Sequence, residues 1–362
     1  MNNPSFESFS SVIKQHAATS EELKKLHPDV LKLVYNQNWF KLYVPKEYGG
    51  LDITLPEILR LLENIAQADG STSWVVTLCS GASWFAGFLD EKLISEIFTN
   101  PEACITGSGA VTGTATKIEN GYLINGSWRY SSGAHHATHF TANCTIKNED
   151  GSPVLTDTGE EQVLSFLFKK EEVRVLSSWS YVGMVATGSH GFEINNLTVP
   201  QHRSFEINSK LKLETNANNY PFLQLAETTL AVNFSGMALH FIELTKEYMY
   251  NRTGIKRFTP EQITFFESEF EKQRQLLDEC RKSFYTIADI SWNEQCTKNI
   301  VDEATLQAVS AESRKLVHTS RRLVDTLYPF CGLEAAKADS ELNRVWRDIH
   351  TASQHSLLTF EF

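Results

Sequence analysis

Near the C-terminus, the stretch RVWRDIHTASQHSLLTF, Arg344 to Phe360, sets an Asp, two His and two Arg among apolar residues. If it is helical, Arg344, Asp348, Thr351 and His355 fall on one row at spacings of four, three and four. That row borders an apolar stripe of Leu342, Val345, Ile349, Ala352 and Ser356. An imidazole titrates near neutrality, so His355 beside a pocket could take or give a proton at working pH. Taken alone, the segment favours a solvated helix residue over an acid/base group. Arg347 and Asp348 are candidates for an internal ion pair that fixes the helix.

Two further stretches carry polar groups suited to a flat ligand. ITGSGAVTGTA, Ile105 to Ala115, has glycines like those of a phosphate-binding loop, but its third glycine falls one place late for a dinucleotide fingerprint, and a hairpin pattern follows instead of a helix. What remains is a loop of small hydroxyl residues, Thr106, Ser108, Thr112 and Thr114, with an ordinary glycine-rich turn as the alternative. In NGSWRYSSGAHHATHF, Trp128 and Tyr130 alternate as strand neighbours on one face, and Ser131, Ser132 and Gly133 then turn the chain. Aromatic surface beside clustered donors suits a planar heterocycle, although strand aromatics are more often core. His135, His136 and His139 lack a fourth ligand pattern, so turn histidines are expected rather than a metal. ATGS, Ala186 to Ser189, marks a loop folding back over the strands.

These residues must be positioned by a large core, and 362 residues that are 41% hydrophobic and 11% aromatic can bury one. With 44 acidic against 33 basic residues the net charge is -11, which offers no positive field for nucleic acid or an anionic membrane. WVVTLCSGASWFAGFL is too short and too interrupted to cross a bilayer and reads as a buried helix. The N-terminus shows no signal-peptide pattern and the six cysteines form no C-x-x-C pair, so a cytoplasmic protein with reduced core thiols is expected. Thr54 and Glu57 have capping-box spacing before a helical stripe of Leu55, Ile58, Leu59, Leu62, Ile65 and Ala66. A second helical pattern, Leu23 to Tyr35, is open to a break at Pro28. From Cys104 to Arg203 the pattern turns to strands, with Asn120-Gly121 and Asn125-Gly126 as hairpin-type turns. After Pro221 long helical periodicities return and suggest a bundle. The expected fold is therefore α+β and mainly α: helical over 1–103, a β domain (sandwich or barrel) over 104–213, and a helical bundle over 214–362.

Taken in order, VPKEYGG, ITGSGAVTGTA, GYLINGSWRYSSG, VGMVATGS with LTVP, and NRVWRDIHTASQH resemble the acyl-CoA dehydrogenase superfamily of flavoproteins. The resemblance runs from about residue 20 to the C-terminus. It implies a flavin, FAD or FMN, held between a middle β domain and a C-terminal four-helix bundle. Ile105, Thr106, Ser108 and Thr112 would line it, with Trp128, Tyr130, Ser131 and Ser189 packing or hydrogen-bonding against it. Dehydrogenases of the superfamily use a Glu as base; IHTASQHSLL, after Arg347-Asp348, holds no carboxylate, and Glu227 is a weak substitute. The pattern W-x-Y-S-S-G, TGS, WRD…H looks instead like the two-component monooxygenase branch, which receives reduced flavin from a separate reductase and oxidises a small organic substrate. There His355 would serve as acid/base and Ser132 or Ser189 would orient the reacting group. YNRTGIKRFTPEQITFF lacks the R-x-x-F-G pattern that helps hold the adenosine half of FAD, and TGSGA lacks the TEP of typical dehydrogenases. The alternatives are an FAD-dependent acyl-CoA dehydrogenase and a flavin-free binding protein on the same fold. A homodimer or homotetramer through the C-terminal helices is also implied.

Overall fold

The computed structural model describes residues 6–207, 209–213, 216–252 and 254–360. Five helices come first: α1 (Phe6–Leu23), α2 (Pro28–Asn36), α3 (Leu55–Ala68), α4 (Gly70–Ser83) and α5 (Glu91–Phe98). Pro28 opens α2, so the break falls where proline is tolerated, in a first helical turn. Thr54 caps α3: its hydroxyl accepts the Glu57 N–H while the Glu57 carboxylate accepts the Thr54 N–H at 2.9 Å. The stripe read from the sequence is the buried face of α3. The apolar run WVVTLCSGASWFAGFL lies in α4 and the 3-10 turn after it, and nearly all of α4 is buried. No described helix is long and apolar enough to cross a membrane.

Seven strands follow: β1 (Ile105–Ile118), β2 (Gly121–Ser131), β3 (His139–Lys147), β4 (Val163–Lys169), β5 (Arg174–Val175), β6 (His190–Pro200) and β7 (Ser204–Phe205). They form one sheet in the order β5-β6-β2-β1-β3-β4-β7. Phe140 on β3 and Phe192 on β6 stand three positions apart in that order, yet their rings lie 4.9 Å apart. Flat strands at about 4.8 Å spacing would hold them roughly 14 Å apart, so the sheet is strongly curled around its own core. That core contains Trp128, Phe140, Phe166, Phe168 and Phe192.

Three sequence expectations change here. ITGSGAVTGTA is not a loop but most of β1, a central strand whose register against β3 shifts on both sides of Val111. Two of its three glycines are packing residues: a Cβ on Gly107 would strike Thr141, and one on Gly113 would lie 2.1 Å from Trp128. Asn120-Gly121 does turn β1 into β2, but Asn125-Gly126 sits inside β2 at a bulge. Trp128 and Tyr130 do not share a face, because the register breaks again after Trp128 and Tyr130 takes a left-handed φ of +67°.

The chain then forms α6 (Asn216–Asn219), α7 (Phe222–Lys246), α8 (Pro260–Lys298), α9 (Glu303–Leu327), α10 (Gly332–Ala336) and α11 (Glu341–Ala352). One continuous core runs from Phe9 through α3 and α4 into α7, α9 and α11, so the first and last helical segments pack as a unit beside the sheet. Five cysteines are buried thiols and Cys296 is exposed.

Candidate active site

The two cores meet at a cleft of about 340 Å³ bounded by α4, the β1–β3–β4 side of the sheet, the first turns of α7 and the segment after α11. On the sheet side stand Thr106 and Ser108 from β1, Thr141 and Asn143 from β3, and Ser165 from β4. Gly81 on α4 and Gly109 on β1 also line it, and at both a Cβ would meet nothing within 4 Å.

His355 closes one end. Helix α11 stops at Ala352, so His355 follows it in a turn and does not continue the helical row. Of the apolar stripe, Leu342, Val345, Ile349 and Ala352 are buried and Ser356 is exposed. The His355 ring meets the edge of Trp74 at 6.0 Å. Its Nδ1 is shielded from solvent and has no hydrogen-bond partner. Burial holds its pKa below the ordinary imidazole value, because the charged form loses its hydration.

The position of His355 depends on how α11 is anchored. Arg347 and Asp348 do not pair with each other. The Arg347 guanidinium binds the Glu21 carboxylate on α1 and donates to Asn343 Oδ1 at 2.7 Å and to the Val182 carbonyl at 2.6 Å. Asp348 is buried and accepts the Met184 N–H. Burial pushes its carboxyl up to about 7, nearby Asp69 adds to the rise, and the Met184 N–H opposes it. Two adjacent residues thus tie α11 to α1 and to the β5–β6 loop.

Only some of the residues singled out from sequence reach the cleft. His355, Thr106 and Ser108 line it. Ser131 is fully buried behind Thr106, the two hydroxyls 3.1 Å apart. Ser132 and Ser189 lie a layer back, in a hydroxyl chain in which Ser189 is 2.8 Å from Ser132 and 2.7 Å from Thr187. Ser132 therefore stiffens the wall and does not face the reacting space. Ile105 belongs to the helical core. Trp128 is fully buried in the sheet core, stacked 5.2 Å from Phe192 with its indole N–H donated to the Asn143 carbonyl, and has no free face for a ligand. Thr112 is exposed and donates to the Ser127 carbonyl. Tyr130 is 58% exposed and stands with Trp179 and Tyr181 on another surface. Among the histidines, His136 Nε2 accepts the Leu26 N–H and burial lowers its pKa to about 3. His16, His27 and Asp29 bring possible ligand atoms together, but the two imidazoles stack 4.0 Å apart at 3°, so their in-plane lone pairs run parallel and do not converge.

Sequence reasoning missed Asn143, Thr141, Ser165 and Phe222. The first three show only as polar residues on apolar strands, and which strand face meets α7 is decided by the curl of the sheet. Glu227 is fully buried but sits off the cleft, bound by Arg314 at 2.7 Å and by the Ser310 hydroxyl.

The family described as acyl-CoA dehydrogenase, N-terminal domain, matches residues 7–87, and acyl-CoA dehydrogenase, C-terminal domain, matches residues 229–360. The chain is 26% identical over 365 residues to the oxygenase subunit HsaA of a flavin-dependent monooxygenase from Rhodococcus jostii, covering 95% of this chain and 91% of the relative. An indole-3-acetate monooxygenase from Pseudomonas putida is 23% identical, over 98% of this chain and 90% of its own. The fold matches that of XiaF from Streptomyces sp., solved with FADH2 and glycerol, at a TM-score of 0.87 and 22% identity over 97% of this chain and 90% of that one. With both the N-terminal and the C-terminal domain of the family matched, the chain belongs to the acyl-CoA dehydrogenase superfamily.

Proposed function

We propose that this chain is the oxygenase component of a two-component flavin-dependent monooxygenase acting on a small organic substrate. The observation that carries the reading is the composition of the cleft: a half-buried imidazole whose Nδ1 has no hydrogen-bond partner and, among the described lining residues, no carboxylate. A dehydrogenase of this superfamily needs a carboxylate base, and Glu227 is held by Arg314 and Ser310 on α9.

The cleft fits a flat tricyclic ring. The space beside Gly81 and Gly109 is a cradle in which a Cβ at either position would meet nothing within 4 Å, and Thr106 and Ser108 also line it. Thr106 and Ser108 would hold the flavin, with Ser131 fixing Thr106 from behind. Reduced flavin, when bound, supplies the two electrons that split O2, one oxygen atom entering the substrate and the other leaving as water. Burial favours the neutral form of His355, and its ring lines the cleft, so the imidazole accepts a proton from a substrate hydroxyl or ring N–H. The apolar wall of Leu78, Phe85, Leu225 and Leu230 excludes water from the reacting space. Electrons come from a separate flavin reductase. The chain self-associates through its C-terminal helices, a reading supported by Leu276 and Ile290, which are half-exposed on α8.

The test supplies chemically or enzymatically reduced FAD or FMN under 18O2 and follows the label. Incorporation into an aromatic product is expected. Anaerobic bleaching of bound oxidised flavin by an acyl-CoA, with no label incorporated, would replace this reading with the dehydrogenase one.

A further inference from the structure

His190, the first residue of β6, is buried against the β5–β6 loop. Its Nδ1 accepts the Trp179 N–H at 3.0 Å and, at 3.2 Å, the Ser178 N–H, which it shares with the Leu176 carbonyl. From Trp179 the loop closes on itself. The indole N–H donates to the Met184 carbonyl at 3.0 Å, and Met184 holds a left-handed φ of +52°. The far side of that turn meets α11: the Val182 carbonyl accepts from Arg347, the Met184 N–H donates to Asp348, and a Cβ on Gly183 would lie 2.1 Å from the Arg347 carbonyl. A strained turn of this kind persists only while the bonds around it hold. The loop thus runs from one imidazole to the helix that leads into another, that of His355.

An imidazole accepts at Nδ1 only while that nitrogen carries no proton. Protonation turns the acceptor into a donor pointed at two N–H groups, and the bonds to Trp179 and Ser178 are lost together. The groups that face His190 offer no counter-charge. They are Lys24, just after α1, and His135, in the turn after β2, whose ring lies 4.7 Å away and has Lys25 and Lys170 close to it. Burial and the Lys24 ammonium hold the His190 pKa below the ordinary value, with the Leu176 carbonyl opposing them. We infer that His190 is a positioning residue for His355: its neutral imidazole pins the loop against Arg347 and Asp348, and acid releases the loop and loosens the end of α11. The catalytic use of His355 rests on the monooxygenase reading; the release of the loop does not.

The test is amide hydrogen exchange of the purified chain, read by mass spectrometry and corrected for the intrinsic effect of pH. A released imidazole protonates at its ordinary pKa of about 6.5, which multiplies the open population of the loop by up to about thirtyfold between pH 7.5 and pH 5. Protection over 176–184 and over 352–355 is expected to fall several-fold across that range while α3 stays protected. His190→Asn sets a side-chain oxygen where Nδ1 stands and does not titrate, so it should keep the loop protected at both pH values. His190→Gln carries its polar atoms one bond further out and should leave the loop exposed at both. The inference is overturned by a pH-dependent loss in His190→Asn equal to that of the unmodified chain, or by a loop that stays protected in His190→Gln. It is equally overturned if the unmodified chain shows no change, loses protection evenly over α3 and the loop, or releases the loop with 352–355 unchanged; these outcomes need no variant to fold. A chain that passes but incorporates no label from 18O2 with reduced flavin keeps the inference and loses the monooxygenase reading.

Discussion

At the scale of single residues, two titratable groups on the C-terminal segment, the half-buried His355 and the buried Asp348, have opposite consequences for pH. Burial lowers the pKa of His355, so its neutral, proton-accepting form persists below the ordinary imidazole value of about 6.5. The acid limb of the hydroxylation rate is therefore expected below pH 6.5, with a flat profile from there to pH 8. His355→Gln should cut hydroxylation by about 10² to 10⁴-fold while O2 consumption continues as peroxide release, read by a coupled peroxide assay. Asp348 behaves differently, because its folded pKa of about 7 stands above the unfolded value of about 4. Between those values the unfolded chain binds fewer protons than the folded one, so this group's contribution to stability falls as pH rises from about 4 to about 7. Asp348→Asn keeps an oxygen to accept the Met184 N–H and removes the titration. Thermal melts of that variant should show a flatter pH dependence over this window and no loss of stability at pH 8.

At the scale of elements, the glycines of the sheet and the carboxylate of the bundle are explained by packing. Gly126 and Gly113 make room for the Trp128 ring, since a Cβ on either would lie under 3 Å from it. Gly126→Ala should cost about 1 to 3 kcal/mol by overpacking, measured by denaturant unfolding, with little change in the sequence of strands. Glu227 joins α7 to α9 through Arg314 and Ser310. Arg314→Ala leaves a fully buried carboxylate without its counter-ion and should destabilise by about 3 kcal/mol. Glu227→Gln, by contrast, should leave the hydroxylation rate unchanged in the same 18O2 assay, which a role as catalytic base would not allow.

At the scale of the whole molecule, the cleft is an unfilled volume kept open between two cores. Gly81 lies in α4, where glycine is less favourable than a good helix former by about 1 kcal/mol, and a Cβ there would meet no atom within 4 Å. Gly81→Leu should therefore raise or maintain the melting temperature while abolishing flavin binding, a separation of stability from function seen in parallel melts and flavin titrations. What the sequence by itself determined was local and periodic: the capping box of α3, the break at Pro28, the buried run of α4, the helix–sheet–helix order and the terminal histidine. Each follows from contacts within a few residues, or from which face is apolar. Tertiary structure alone decided which hydroxyls meet a ligand. Thr106, Ser131 and Ser132 look equivalent in the sequence, yet only Thr106 lines the cleft, because the bulges and curl of the sheet set strand register and depth. The same curl buried Trp128 and turned Tyr130 outward, since one register shift in a strand exchanges the faces of the residues beyond it.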